Sequence, residues 1–204
     1  MSNETFLPEN YVKEEFELNG NKARLLGLFI LLICVIIFGI PFYFLWPENI
    51  QLFQGNIEWH RRLINIGIFV LCAIIGIIVH ELIHGFFAAI FNKNGFKSIK
   101  FGVLPSRGMA YCANTEILRK DKYIIGLIMP GILLGIIPSL ISIMLGNLYV
   151  LIFGILFTLA ACGDLLLLME IRKLKKDSWI EDKIFNNEVK INIYKKPQTQ
   201  ERFK

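Results

Sequence analysis

The chain has 204 residues, of which 54% are hydrophobic and 19% are charged, and its mean hydropathy is +0.53. A soluble domain is usually about 45–50% apolar and about 25% charged. The apolar residues here are gathered in long runs, which excludes a simple soluble globule and a disordered chain. Three of the four cysteines lie inside those runs, which argues against a secreted disulfide framework. The composition therefore predicts a membrane protein.

Four apolar runs are each long enough for a helix that crosses a bilayer, which takes about 20 residues. In chain order these runs are 25–46, 63–91, 123–145 and 148–169. The first is too long for the apolar core of a signal peptide, so we expect a retained span. Only Gly146 and Asn147 separate the third and fourth runs, which predicts a tight antiparallel hairpin of two helices.

The loop between the second and third runs carries strand and turn signals. Residues 97–103 partly alternate between polar and apolar, and residues 109–113 are short and apolar. Turn-forming residues 105–108 lie between them. We therefore predict a β-hairpin within 96–114, and we expect one more short strand at 189–194. The predicted fold class is an all-α polytopic membrane protein with four transmembrane helices and a small cytoplasmic β-hairpin between the second and third.

The distribution of basic residues predicts the orientation of these spans, because cytoplasmic loops are enriched in Lys and Arg. If the N-terminus is cytoplasmic, 20 of the 22 basic residues lie on the cytoplasmic side, and only Arg61 and Arg62 lie outside. Both termini are therefore predicted to be cytoplasmic, in an integral protein of a bacterial cytoplasmic membrane. Topology and anionic lipid account for the net charge of +5, so we expect a lipid bilayer as partner and no nucleic acid.

Ionisable side chains occur deep inside two of the four runs. His80, Glu81 and His84 lie in the second, and Asp164 lies in the fourth. An ionisable group at the centre of a membrane helix costs about 2.5–3.5 kcal/mol on insertion scales, so such groups are functional candidates by default.

The sequence from His80 to His84 has the H-E-x-x-H pattern. Side chains at positions i and i+4 of a helix share one face, so the two imidazoles can bind a single zinc ion. Glu81 is displaced by about 100° around the helix, where it can contact a water on that ion without being a ligand. A zinc ion makes such a water acidic, and Glu81 is then the predicted catalytic base. A purely structural role would leave three polar groups unpaired in hydrocarbon.

A catalytic zinc ion usually has three protein ligands, and depth in the membrane points to Asp164 as the third. His84 lies about 10 Å and Asp164 about 9 Å from the cytoplasmic ends of their helices, at the rise per residue of an α-helix. The other candidates are Glu170, nearer the surface, and Asp177 and Asp182 in the tail. Depth favours Asp164, and we expect one Zn²⁺ ion bound by His80, His84 and Asp164.

At these residues the chain resembles the site-2-protease-like intramembrane zinc metalloproteases, and more closely a small bacterial family of zincin peptidases of unknown function. The resemblance covers about residues 63–170 and consists of His80-Glu81-Leu82-Ile83-His84-Gly85, a surface hairpin, and Gly163-Asp164. It implies that His80, His84 and Asp164 are zinc ligands and that Glu81 is catalytic. The chain departs from site-2 proteases at Asp164: those proteases usually embed the third ligand in an Asn-Pro-Asp-Gly-like stretch, whereas here four leucines follow the aspartate.

The resemblance also implies a domain organisation. Residues 63–170 are a three-helix metalloprotease-like core with the hairpin 96–114, and the span 25–46 is an addition to it. A cytoplasmic head, 1–24, and a basic cytoplasmic tail, 171–204, flank these parts.

The predicted function is hydrolysis of peptide bonds in membrane-protein or peptide substrates, near the cytoplasmic face. A second hypothesis is a metal-binding or scaffold membrane protein without catalytic activity, derived from such proteases. A metal or ion transporter would need more polar residues in the outer half of the spans than this sequence contains.

Overall fold

The computed structural model describes residues 11–16, 20–51, 59–104, 109–185 and 188–196. The described residues form eight α-helices: α1 Gly20–Cys34, α2 Ile40–Leu45, α3 Pro47–Gln51, α4 Trp59–Phe91, α5 Lys120–Pro130, α6 Ile137–Leu145, α7 Leu148–Ala160 and α8 Cys162–Ile171. They also form six strands: β1 Val12–Phe16, β2 Ile99–Leu104, β3 Met109–Asn114, β4 Leu118–Arg119, β5 Trp179–Phe185 and β6 Glu188–Lys195.

Three continuous helical stretches are long and apolar enough to cross a membrane, as in a membrane protein: Asn21–Leu45, Trp59–Phe91 and Lys120–Leu145. Helices α7 and α8 pass the same test only together, and they are bent by 42°. The bend lies at Ala161, where ψ is 7° and the helical conformation is interrupted.

The prediction of an all-α fold with four transmembrane helices is therefore wrong. The described residues contain two β-sheets, and the run 148–169 is two helices joined at a bend. The strands escaped prediction because β1 is largely charged, β4 has only two residues, and β5 mixes charged and apolar residues. Hydropathy alone carries little signal for such segments.

Strands β2 and β3 form an antiparallel hairpin between α4 and α5, with Ile99 opposite Asn114 and Leu104 opposite Met109. Residues 105–108, where the sequence predicts the turn, lie outside the described residues. The hairpin packs against the end of α4, where the ring of Phe101 fills the space in front of Gly85. This contact fixes β2 and β3 beside the H-E-x-x-H segment.

The four-stranded sheet has the order β1-β6-β5-β4, and all its neighbouring pairs are antiparallel. The strand expected at 189–194 is β6, and its partner β1 comes from the predicted head. One face of the sheet is buried: Ile180 packs with Leu127, Leu167 and Ile171 at the ends of α5 and α8. Burial of these side chains, worth about 1.5–3 kcal/mol each, holds the sheet against the helices.

The first span packs against α7 and α8 through Ile30, Cys34, Phe38 and Phe42. At the far end of this span, the indole of Trp46 donates to the Ile143 carbonyl at 2.8 Å. Close to this contact, the turn between α6 and α7 is formed at Gly146, whose φ of +67° favours glycine. The stretch 25–46 is thus bonded to the helices of the predicted core.

Helix α5 continues into α6 through a π-helical segment, Gly131–Ile136, that precedes Pro138. Pro138 has no N–H to donate within the helix, and a widened turn accommodates this loss. The straight part of α5, before this segment, is the part that packs on α4 and reaches the candidate site.

Candidate metal centre

Helix α4 carries both histidines of the H-E-x-x-H segment on one face. The two Nε2 atoms are 3.2 Å apart, and the ring centroids are 4.9 Å apart. His80 is only 7% exposed. One helical turn is sufficient to produce this pairing, because residues i and i+4 lie above one another.

Asp164 reaches the same point from α8. Its Oδ2 atom lies 3.2 Å from His80 Nε2 and 3.4 Å from His84 Nε2. The bend at Ala161 starts α8 just before Asp164, which places the carboxylate in the first turn of that helix. The structure therefore brings together the three side chains that the sequence nominates as ligands.

Near the histidines, the close approach of α4 to α7 depends on Gly76 and not on Gly163 beside Asp164. A Cβ atom added to Gly76 of α4 would overlap the ring of Phe157 on α7. In contrast, a Cβ atom at Gly163 would meet nothing within 4 Å, and Gly163 lines the cavity in front of Asp164. Gly163 thus leaves open space beside the carboxylate, and Gly76 provides the close approach.

His84 is oriented by a neighbouring helix. Its Nδ1 atom lies 3.0 Å from the carbonyl oxygen of Gly126 on α5, so the Nδ1–H donates to that carbonyl. This bond selects the tautomer in which the Nε2 lone pair is free, as in zinc-binding histidines. Nδ1 of His80 is buried and has no hydrogen-bond partner among the described residues.

This donor set fits a metal ion. Ligand atoms of His80, His84 and Asp164 all lie within 4.8 Å of one another. Two imidazole nitrogens and one carboxylate oxygen match the ligand types and number of a catalytic zinc site. A divalent ion at this position would take a lone pair from each of the two Nε2 atoms, which lie 3.2 Å apart.

The alternative carboxylates are engaged elsewhere. Glu170 pairs with Lys173 at 2.8 Å, and Asp177 pairs with Lys196 at 3.3 Å, both in exposed positions. Asp182 lies on the wall of the cavity, but its carboxylate accepts hydrogen bonds from Tyr123 and from the Asn114 amide. Of these acids, Asp164 is the one placed with the histidines.

Glu81 faces a cavity of about 280 Å³ that also contains the two histidines and Asp164. Its carboxylate lies near the backbone amide of Cys112 on β3. Burial, and then the negative charge of Glu81, raises the pKa of the Cys112 thiol to about 12. The thiol thus stays protonated beside the candidate base.

The wall of this cavity includes residues that sequence reasoning did not place there. They come from β3, α5, β5 and β6, among them Cys112, Tyr123, Asp182 and Ile191. Sequence reasoning considered Asp182 only as an alternative ligand. The sequence does not predict that Asp182 is buried, because β5 contains both charged and apolar residues. Its burial depends on a sheet assembled from distant segments.

The fold and the site define a protein with membrane-length apolar helices and a partly buried histidine–histidine–aspartate cluster that could hold a metal ion. More specifically, the family model described as "Putative zincin peptidase" matches residues 73–179, and the chain belongs to this family. The matched stretch contains the whole H-E-x-x-H segment, the hairpin and Asp164, and it ends before Asp182. Neither the curated proteins nor the solved structures contain a match to this chain.

Proposed function

We propose that this protein is an intramembrane zinc metallopeptidase that hydrolyses peptide bonds of membrane-associated substrates near the cytoplasmic face. One observation carries the proposal: His80, His84 and Asp164 converge on one point in a cavity that Glu81 also faces. The three donors would hold a zinc ion. Such an ion supplies Lewis acidity, which polarises a peptide carbonyl and makes a water molecule acidic near neutral pH.

The residues of this chain supply the proton transfers and the orientation. Glu81 would accept a proton from the attacking water and pass it to the leaving amine. The Gly126 carbonyl holds His84 in the tautomer that leaves Nε2 free, and Asp164 contributes a negative charge. The cavity of about 280 Å³ has room for several water molecules beside Glu81.

The outer edge of β3 is a suitable binding site for an extended substrate. The Thr115 amide donates toward β2, to the Ser98 carbonyl. Because amides alternate along a strand, those of Ala110, Cys112 and Asn114 point away from β2. The Cys112 amide lies near the Glu81 carboxylate and the Asn114 amide donates to Asp182, so the Ala110 amide is the one offered to a substrate. Among the described strands, none pairs with this edge, and Ala110, Tyr111 and Cys112 line the cavity. A substrate strand added here would lie next to Glu81.

The orientation of the protein in the membrane is part of the proposal. Pairing of β1 with β6 supports a location of the segments before the first span and after α8 on one side of the membrane. The ten Lys and Arg residues within 172–204 support a cytoplasmic location, in a bacterial cytoplasmic membrane. The catalytic core would be 63–170, with the span 25–46 packed onto it.

The decisive experiment is Glu81→Gln in detergent-purified full-length protein, with labelled β-casein as an unfolded probe substrate. Loss of a general base lowers turnover by about 100-fold or more, whereas bound zinc per chain stays unchanged because Glu81 is not a ligand. Glu170→Gln is the matched control, since Glu170 is exposed on α8 and pairs with Lys173. We expect both its zinc content and its cleavage to equal the wild type.

The ligand set is tested separately by metal analysis. His84→Ala and Asp164→Ala are expected to lose bound zinc, whereas His60→Ala, at the opposite end of α4, keeps it. If the wild type binds zinc but cleaves no faster than Glu81→Gln, the protein is a metal-binding scaffold and the peptidase proposal is wrong. If His84→Ala and Asp164→Ala bind zinc normally, the ligand assignment is wrong.

A further inference from the structure

Asp182 is a buried acid that the proposed chemistry does not use. It lies on β5, is 9% exposed, and lines the same cavity as Glu81 and Asp164. Burial raises the pKa of its carboxyl group above the ordinary value, so that keeping it there has a cost in stability. An acid in such a place needs a structural or functional reason.

Each carboxylate oxygen of Asp182 binds a different element of the site. Oδ1 accepts the hydroxyl proton of Tyr123 on α5 at 2.8 Å. Oδ2 accepts the backbone amide of Asn114 at the end of β3, at 3.0 Å. One side chain thus joins a helix and a strand that do not follow each other directly in the fold.

Both partners are directly connected to the proposed reaction centre. Tyr123 is three residues before Gly126, so the two lie on the same face of α5, and the Gly126 carbonyl holds His84. Asn114 is at the end of the β3 edge to which the substrate would bind, and its side chain is anchored to Asn92 at 2.7 Å. Asp182 therefore lies between the helix that orients a ligand and the strand that would hold the substrate.

We propose that Asp182 is a positioning residue, which sets the separation between the β3 edge and the metal centre through its bonds to Asn114 and Tyr123. This inference rests on the proposed function, since it concerns placement of the substrate relative to Glu81. Misplacement of a reacting group by about 1 Å can lower a rate by about 100-fold, so such a bond need not contact the substrate to matter.

The structure offers a matched control on the same strand. Glu181 precedes Asp182 and therefore points to the opposite face of β5. Its carboxylate also accepts a tyrosine hydroxyl, that of Tyr194, at 2.8 Å. Glu181→Leu and Asp182→Leu thus each remove a carboxylate that accepts a tyrosine hydroxyl, on the same strand. Of the two carboxylates, only that of Asp182 faces the cavity.

The test compares Asp182→Leu, Asp182→Asn and Tyr123→Phe with Glu181→Leu in the full chain, using labelled β-casein and zinc analysis. Asp182→Leu is expected to lower kcat/KM by about 100-fold, with zinc per chain unchanged. Tyr123→Phe lowers it by about 10-fold, because the Asn114 bond remains. Asp182→Asn stays within about twofold of the wild type, since its amide can accept from Asn114 and donate to Tyr123.

A second measurement needs no activity. Hydrogen exchange of the Asn114 amide, followed by mass spectrometry of peptides that cover β3, should become faster in Asp182→Leu and stay unchanged in Tyr123→Phe and Glu181→Leu. If the wild type cleaves nothing, the proposed function fails, while this exchange pattern still reports whether Asp182 holds β3.

Two outcomes would overturn the positioning role. In one, Asp182→Leu loses zinc and cleavage in equal proportion, which means that it damages the whole site. In the other, Asp182→Leu exchanges and cleaves like Glu181→Leu, which means that its two bonds do not matter. Asp182→Asn and Tyr123→Phe keep the test informative if Asp182→Leu does not fold.

Discussion

The two β-sheets of this protein differ in how their edges are closed. The four-stranded sheet ends on one side in β1, whose charged residues Lys13, Glu14 and Glu15 make ion pairs with one another and with β6. Its other edge is β4, with only two residues. Charged and very short edge strands resist the addition of further strands.

The β2–β3 hairpin has the opposite character. The outer edge of β3 carries the small or apolar residues Ala110 and Cys112, and it faces the cavity of the candidate metal centre. The four-stranded sheet thus has protected edges, whereas the β3 edge is the one that we propose to receive an extended peptide. Three predictions test that difference.

The largest effect is expected from proline on the β3 edge. Ala110→Pro removes an amide that points toward the cavity, so cleavage of β-casein should fall by about 10-fold or more, with zinc content unchanged. Val103→Pro is the matched control, because Val103 is directly opposite Ala110 and its amide lies on the outer edge of β2. Equal losses in the two variants would show that the hairpin is merely destabilised. A greater loss in Val103→Pro would indicate that the substrate binds to the outer edge of β2 instead.

Removal of the metal should affect the two sheets unequally. A ligand present at about 100 times its Kd stabilises a protein by about 2.7 kcal/mol, so chelation should lower Tm by about 5–10 °C. Amide exchange should increase in β3, which borders Glu81, and remain unchanged in the β5–β6 ladder. In Asp164→Ala the chelator should shift neither Tm nor exchange. A uniform increase across both sheets would contradict the distinction between them.

The smallest effect concerns acid and the edge strand β1. Hydrogen bonds from Lys13 and Lys190, together with their positive charges, lower the pKa of Glu15 in the folded protein. Its contribution to stability is therefore present above the pKa of the unfolded chain and is lost as pH falls through the lower, folded pKa. Because Glu15 is exposed, the effect is small.

This prediction is measured as the exchange of β1 amides in the wild type and in Glu15→Gln at the same pH. The two proteins should differ at pH 7 and converge below about pH 4, while β3 exchanges equally in both. A difference that persists in acid would mean that the ion pairs of Glu15 do not stabilise this edge.

The candidate metal centre could be predicted from the sequence more fully than the fold around it. His80 and His84 are one helical turn apart, so local spacing determines their geometry. Asp164 is distant in sequence, yet its depth in an apolar run was sufficient to nominate it. Ionisable groups are costly within hydrocarbon and few positions tolerate them, so their presence there marks candidate site residues.

The four-stranded sheet and the bend between α7 and α8 could not be predicted from the sequence in this way. β1 pairs with β6, more than 170 residues later, and hydropathy gives no register for such distant partners. The bend at Ala161 occurs within an uninterrupted apolar run, so the sequence predicted one helix where the structure has two. The proposed role of Asp182 depends on the sheet, and it could be recognised only when α5, β3 and β5 were seen together.

The pairing of β1 with β6 has a consequence for biosynthesis. Asp182 and Ile191 form part of the cavity wall, and β6 closes the sheet over it. Strands β5 and β6 both follow Asp164 in the chain, so they are synthesised after all three donor residues. The cavity that we propose for hydrolysis is therefore complete only once β5 and β6 have been synthesised and paired.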